Sequence, residues 1–147
     1  MKIFLDANII IAATGSDLGG SRYLFKIAEQ NPHWQLLTSV YAIAEARANV
    51  LAKLSNRYAF FISLITSTAL TVIHPPAETI IKLAHGLVPP KDEPILAAAI
   101  SCSANILCTL NKKDFHTPRV RRRCRDWGIR IVLPKDLLEE WRAKQQI

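Results

Sequence analysis

Lys2–Ile11 reads KIFLDANIII. Its β-branched and apolar residues predict a buried strand opening the chain. Asp6 falls at the end of KIFL, directly before another apolar run. A carboxylate beside a core is costly unless a cation, a set of hydrogen bonds or a raised pKa compensates it. Asn8, two residues on, can orient such a carboxylate or a bound water. A turn-forming Asp that caps the following segment is the plainer alternative.

The next residues, ATGSDLGG, read as a loop, and SRYLFKIAEQN as a helix ending near Asn31–Pro32. HWQLLTS is a short strand. VYAIAEARANVLAKLS is helical, with Val40, Ile43, Ala44, Arg47, Leu51 and Leu54 on one stripe. NRYAFFISLITS predicts a further helix, and ALTVIHPP a strand stopped by Pro75 and Pro76. AETIIKLAHGL reads as a helix with Gly86 near its end. VPPKDEPILAAAISCSA is a loop running into a helix that tolerates Pro94 in its first turn. NILCTL is a buried strand, GIRIVLP a last strand, and KDLLEEWRAKQQ a closing helix. Strands thus alternate with helices from start to finish. That order predicts one α/β domain over residues 1–147: a three-layer sandwich whose central, mostly parallel twisted sheet carries helices on both faces. Ligands of such sheets gather beyond the carboxyl ends of the strands.

A chain of 147 residues, half of them hydrophobic, suffices for one domain with a real core and is too short for two. No run approaches a membrane span, and the opening lacks a basic leader and cleavage signal, so a cytoplasmic protein is expected. Cys102, Cys108 and Cys124 have no paired spacing, which suits a reducing compartment and idle thiols. The net charge is +7, and eight Lys and Arg against two Asp between Lys112 and Arg130 supply +6 of it. A patch holding Arg119, Arg121, Arg122, Arg123 and Arg125 attracts polyanions, nucleic acid foremost. A solvated helix face or a dock for an acidic protein reads the same residues equally well.

Three further acidic positions stand out. Asp92 in PPKDEPIL precedes a helix, where an N-cap is its ordinary role. Glu45 shares a helix face with Tyr41, Ala48, Asn49 and Ala52, with no cation four residues later to pair it. After the NILCTL strand come Thr109, Asn111 and Asp114, polar groups at the expected open edge of the sheet.

In order and spacing these features resemble the PIN-domain family, especially its small toxin-type, VapC-like members. Asp6-Ala7-Asn8 is similar to the family's opening D-x-N. Glu45 in TSVYAIAEA matches its helical Glu, and Asp92 in KDEPILAAAI its Asp before a Pro-apolar helix start. Thr109-Leu110-Asn111, with Asp114-Phe115 beyond, matches the T-x-D/N strand end. The likeness spans almost the whole chain; Asn111 stands where many members carry Asp. The resemblance implies a metal-dependent ribonuclease, the toxin of a type II toxin–antitoxin pair. Asp6, Glu45 and Asp92 would be catalytic and would hold Mg²⁺ or Mn²⁺, hard cations suited to carboxylates. Asn8, Thr109, Asn111 and Asp114 would support them, and the arginines of the basic patch would hold RNA. It further implies an antitoxin partner and a homodimer. The competing class is a PIN-fold module that binds RNA or protein without cutting. A receiver-like domain with an Asp cluster fits the order of motifs less well.

Overall fold

The computed structural model describes residues 1–146. Five strands, β1 (Lys2–Leu5), β2 (Gln35–Ser39), β3 (Leu70–Ile73), β4 (Ile106–Cys108) and β5 (Arg130–Val132), form one sheet in the order β3-β2-β1-β4-β5. Every adjacent pair is parallel. Ile3 lies opposite Leu36 and Ile106, and Phe4 opposite Leu37 and Leu107. Because side chains alternate along a strand, this register sorts the core into two layers. Phe4, Leu37, Leu107 and Ile131 fill one, and Ile3, Leu5, Leu36, Leu70, Ile106, Cys108 and Val132 the other.

Nine helices surround the sheet among the described residues: α1 (Ala7–Gly15), α2 (Gly20–Gln30), α3 (Val40–Lys53), α4 (Tyr58–Ile65), α5 (Glu78–Ala84), α6 (Glu93–Ser101), α7 (Lys112–Phe115), α8 (Pro118–Asp126) and α9 (Pro134–Gln145). Short 3₁₀ turns at Ser55–Arg57 and Pro90–Asp92 precede α4 and α6. The α3, α5, α6 and α8 helices close the Phe4 layer, and α2 and α9 close the Ile3 layer. Phe4, Phe25, Phe61 and Phe115 are all but fully buried. Each contributes about 1.5–3 kcal/mol relative to exposure. This is the expected three-layer α/β sandwich, and its sheet is wholly parallel.

Two expectations need correction. The opening strand stops at Leu5, and ANIIIAATG is a helix. The physical cause is Asp6, whose backbone is extended (φ −69°, ψ 159°) while its carboxylate accepts the Ala7 N–H at 2.7 Å. Consecutive isoleucines tolerate the helix because α1 is buried on two sides: Ala7 and Ile10 enter one layer, Ile9 and Ala13 the other. In α3 the buried positions are Ala42, Ile43, Ala46 and Val50, while Val40 and Leu51 are each 51% exposed. Close packing against α1 selects small side chains there, which a stripe chosen by size misplaces.

Arg22 ties α1 to α2. It is buried, donates Nε–H to the Ala13 carbonyl at 2.7 Å and lies 3.6 Å from the Phe60 ring centroid. Gly128 ends α8 with φ +76°, a left-handed turn that returns the Ile129 N–H to the Cys124 carbonyl at 2.9 Å and starts β5. No helix among the described residues is long and apolar enough to cross a membrane.

Candidate active site

The chain runs outward from β1 to β3, then returns to place β4 on the other side of β1. Between β1 and β4 the helical connections leave in opposite directions, which opens a crevice at their carboxyl ends. Asp6 and Thr109 are the residues that follow these two strands. The Thr109 hydroxyl donates to Asp6 Oδ2 at 2.7 Å, and the Asp6 N–H to the Cys108 carbonyl at 3.1 Å. Asn8 spans the same gap. Its Nδ2 donates to Asp6 Oδ2 and to Thr109 Oγ1, each at 3.2 Å, and its Oδ1 accepts the Leu110 N–H at 3.0 Å. Asp6 is only 4% exposed. Burial raises its pKa despite opposing hydrogen bonds from Thr109, Ala7 and Asn8.

Asp92 ends the 3₁₀ turn before α6. Its side chain makes no capping bond to that helix, which sets the N-cap reading aside. It is buried, and its Oδ2 has no hydrogen-bond partner among the described residues. Burial first, then the charge of Asp6 and the nearby Asp114 carboxyl, push its pKa up to about 6, with the Lys91 ammonium opposing. Glu45 sits on the outward side of α3 with Tyr41 and Ala48, the face expected from its helical position. Its pKa is raised by partial burial and then by Asp6, and lowered by Lys91. The charge of Asp6 thus reaches Glu45 and Asp92, and that of Asp114 reaches Asp92. None of the four is salt-bridged among the described residues, whereas Asp17, Asp126 and Glu140 are.

The expected convergence of Asp6, Glu45 and Asp92 is nonetheless looser than a closed triad. Among the described residues no three His, Cys, Asp or Glu side chains are grouped tightly enough to ligate an ion together. Hydrogen bonds hold the Asp6 carboxylate from three sides. The donor set still fits a hard cation. It consists of oxygens alone, and it includes a buried carboxylate oxygen without a partner, a group that is costly to retain for the fold's sake. Mg²⁺ commonly keeps several waters and takes one or two carboxylates, so a closed cage is not required.

Asn111 caps α7: its Oδ1 accepts the Asp114 N–H and its Nδ2 donates to Asp114 Oδ2, both at 3.1 Å. An amide at 111 therefore holds Asp114 in place, where a second carboxylate would repel it. Sequence reasoning missed three contributors. Lys91 adjoins Asp92 in the chain, and its charge opposes the rise in both Asp92 and Glu45. The Tyr41 hydroxyl donates to the Lys91 carbonyl at 3.0 Å, which joins α3 to the loop carrying Asp92. His116 Nε2 lies 2.8 Å from the Thr109 carbonyl, and Arg121 Nη2 lies 2.7 Å from His116 Nδ1. Only the adjacency of Lys91 and Asp92 was visible in one dimension.

The basic patch is helix α8 and its flanks. Arg121 also donates to the Ile131 carbonyl at 3.1 Å, so its guanidinium serves the fold. Arg119 donates to the Gly86 carbonyl at 3.2 Å. Arg123 stacks 4.3 Å from the Trp127 centroid and pairs with Asp126 at 3.7 Å. Arg122 and Arg125 are exposed, with neither side-chain hydrogen bond nor ion pair among the described residues. Arg119, Arg122 and Arg123 border a groove of about 360 Å³ opposite Leu83 and His85.

The chain is thus a doubly wound α/β domain, and the Asp6 carboxylate at its topological switch point makes no ion pair among the described residues. Three solved structures share that architecture. A chain of VapBC2 from Rickettsia felis, bound to a DNA fragment from its promoter, aligns with TM-score 0.65 and 16% identity over 90% of this chain and 98% of its own. VapBC-1 from nontypeable Haemophilus influenzae aligns at 0.59 and 23% identity, over 92% and 99%. VapC20 from Mycobacterium tuberculosis, a toxin that cleaves the sarcin-ricin loop, aligns at 0.57 and 15% identity, over 76% and 91%. The chain therefore has the PIN-like fold of VapC toxin structures. No protein-family model matches it, and no curated protein does.

Proposed function

We propose that this protein is a metal-dependent endoribonuclease and the toxin of a toxin–antitoxin pair. The observation that carries the reading is the Asp92 carboxylate, buried near Asp6 and Asp114 with an oxygen that has no hydrogen-bond partner among the described residues. Asp92 and Asp6 would hold Mg²⁺ or Mn²⁺, with Glu45 and Asp114 reaching it through water. When bound, the ion would neutralise phosphate charge and supply a water acidic enough to attack near neutral pH. Thr109 and Asn8 orient Asp6, and Asn111 orients Asp114. Lys91 presents a cation to phosphate beside Asp92, and Arg122 and Arg125 draw the RNA backbone along α8. An antitoxin would cover this basic face and the cleft, where Tyr41 and Leu51 offer exposed apolar surface on α3. A homodimer belongs to the same reading.

The test is cleavage-site mapping on total RNA with Mg²⁺, Mn²⁺ or EDTA. Discrete cuts that vanish in EDTA are expected, and their absence under every metal condition would sink the proposal. In the same preparation, Arg122→Ala/Arg125→Ala should weaken RNA binding several-fold and reduce the salt slope by about 2, roughly one for each phosphate no longer neutralised. A second reading, a binding module that does not cut, draws on the lack of a closed acid triad among the described residues. It predicts RNA retention with no metal uptake in a calorimetric titration.

A further inference from the structure

At the opposite, amino-terminal end of the sheet, α2 and α9 enclose a cleft of about 800 Å³. Tyr23 and Lys26 of α2, Trp34 before β2, Arg130 at the start of β5, and Trp141 and Lys144 of α9 line it. Two of the chain's three tryptophans are here. Trp34 and Trp141 each pack against the core and are only partly buried, which leaves ring surface toward the cleft. Tyr23 meets Trp141 edge to face at 6.2 Å and steadies it. Among the described residues the sole acid in the lining, Glu140, is matched by a bidentate pair with Arg130 at 2.6 and 2.9 Å. Lys26 and Lys144 make no close ion pair among the described residues, although the Lys144 charge also acts on Glu140.

Aromatic faces fixed by the core, amides from Gln30 and Asn31, and two spare ammonium groups are the chemistry of base stacking, edge recognition and phosphate pairing. The cleft volume is within the range of small-ligand sites. We propose that this cleft binds a nucleotide unit, its base on Trp34 or Trp141 and its phosphate on Lys26 and Lys144. The nucleotide is either free or part of a single strand, and the site is separate from the acidic cleft.

The experiment is tryptophan fluorescence titration in EDTA with AMP, UMP and 2′-O-methyl hexanucleotides, which resist cleavage. Saturable quenching is expected. Trp141→Leu should weaken it about tenfold, and Lys26→Gln/Lys144→Gln, confined to exposed side chains, should weaken it and flatten its salt dependence. Mononucleotides binding as tightly as hexamers would identify a free nucleotide as the ligand, and much tighter hexamers a strand. No quenching by any probe, or affinity and salt slope unchanged in the double-lysine variant, would overturn the proposal. Asp92→Asn should bind normally here. Absence of nuclease activity in the wild type with intact quenching would count against the ribonuclease alone, and cleavage by the wild type without quenching against this cleft alone.

Discussion

Asp92→Asn is expected to lose metal-dependent RNA cleavage on the order of 100-fold or more and, in metal-free buffer, to melt above the wild type. Replacing groups that merely support a metal ligand typically costs about 10–100-fold, so a ligand should sit at or beyond the top of that range. The stability gain follows from burial. At pH 7 the folded protein holds Asp92 ionised against a pKa of about 6. An amide removes that cost and can donate toward Asp114. No helix cap is lost, because the Asp92 side chain makes none. A gain of about 1 kcal/mol, roughly 2–4 °C, is expected. Asp6→Ala should differ in sign, since it removes the bond to the Ala7 N–H and strands the Thr109 hydroxyl. A lower melting temperature for Asp92→Asn, or cleavage within tenfold of wild type, would remove Asp92 from the site.

Mg²⁺ should raise the melting temperature at pH 7.5 by roughly 5–10 °C when present at ~100 times its dissociation constant, equivalent to about 2.7 kcal/mol. At pH 5 most of this increment should disappear, because protons compete for the same oxygens. The metal-free protein should show the opposite trend. Asp6, Glu45 and Asp92 all have raised pKa values. Between the unfolded carboxylate range and about pH 6 the folded state therefore binds more protons than the unfolded one. Stability contributed by these groups falls as pH rises through that window. Differential scanning fluorimetry at pH 5 and 7.5, with and without Mg²⁺, reads both trends. An Mg²⁺ increment equal at the two pH values, or retained in Asp92→Asn, would contradict the assignment.

Asp6, Glu45, Asp92 and Asp114 are four of only twelve acids in the chain, and Asp6, Asp92 and Asp114 could be singled out by their places at strand ends and before a helix, Glu45 by the lack of a cation four residues later. Their local alternatives resolved in different ways. Asp6 does cap α1, and it does so while sharing its other oxygen with Thr109. Asp92, in the more conventional capping position, caps nothing. Asn111, which by resemblance read as a weakened acid, is the group that steadies Asp114. The arginine run looked uniform along the sequence, yet among the described residues only Arg122 and Arg125 project free of internal partners. Arg121 is held by His116 and the Ile131 carbonyl, neighbours set by how α8 folds back on β5.

By itself the amino-acid sequence determined the alternation of strands and helices, the parallel layered class and the polar residues that end β1 and β4. These are short-range properties, set by hydrophobic period, turn chemistry and capping, which act over a few residues. The tertiary structure alone decided where KIFL stops, which face of α3 is buried and which acids remain unpaired. It also brought Trp34 and Trp141 to one cleft from opposite ends of the chain. Burial and charge coupling depend on the neighbours that distant segments supply, and those neighbours exist only once β4 has returned to lie beside β1.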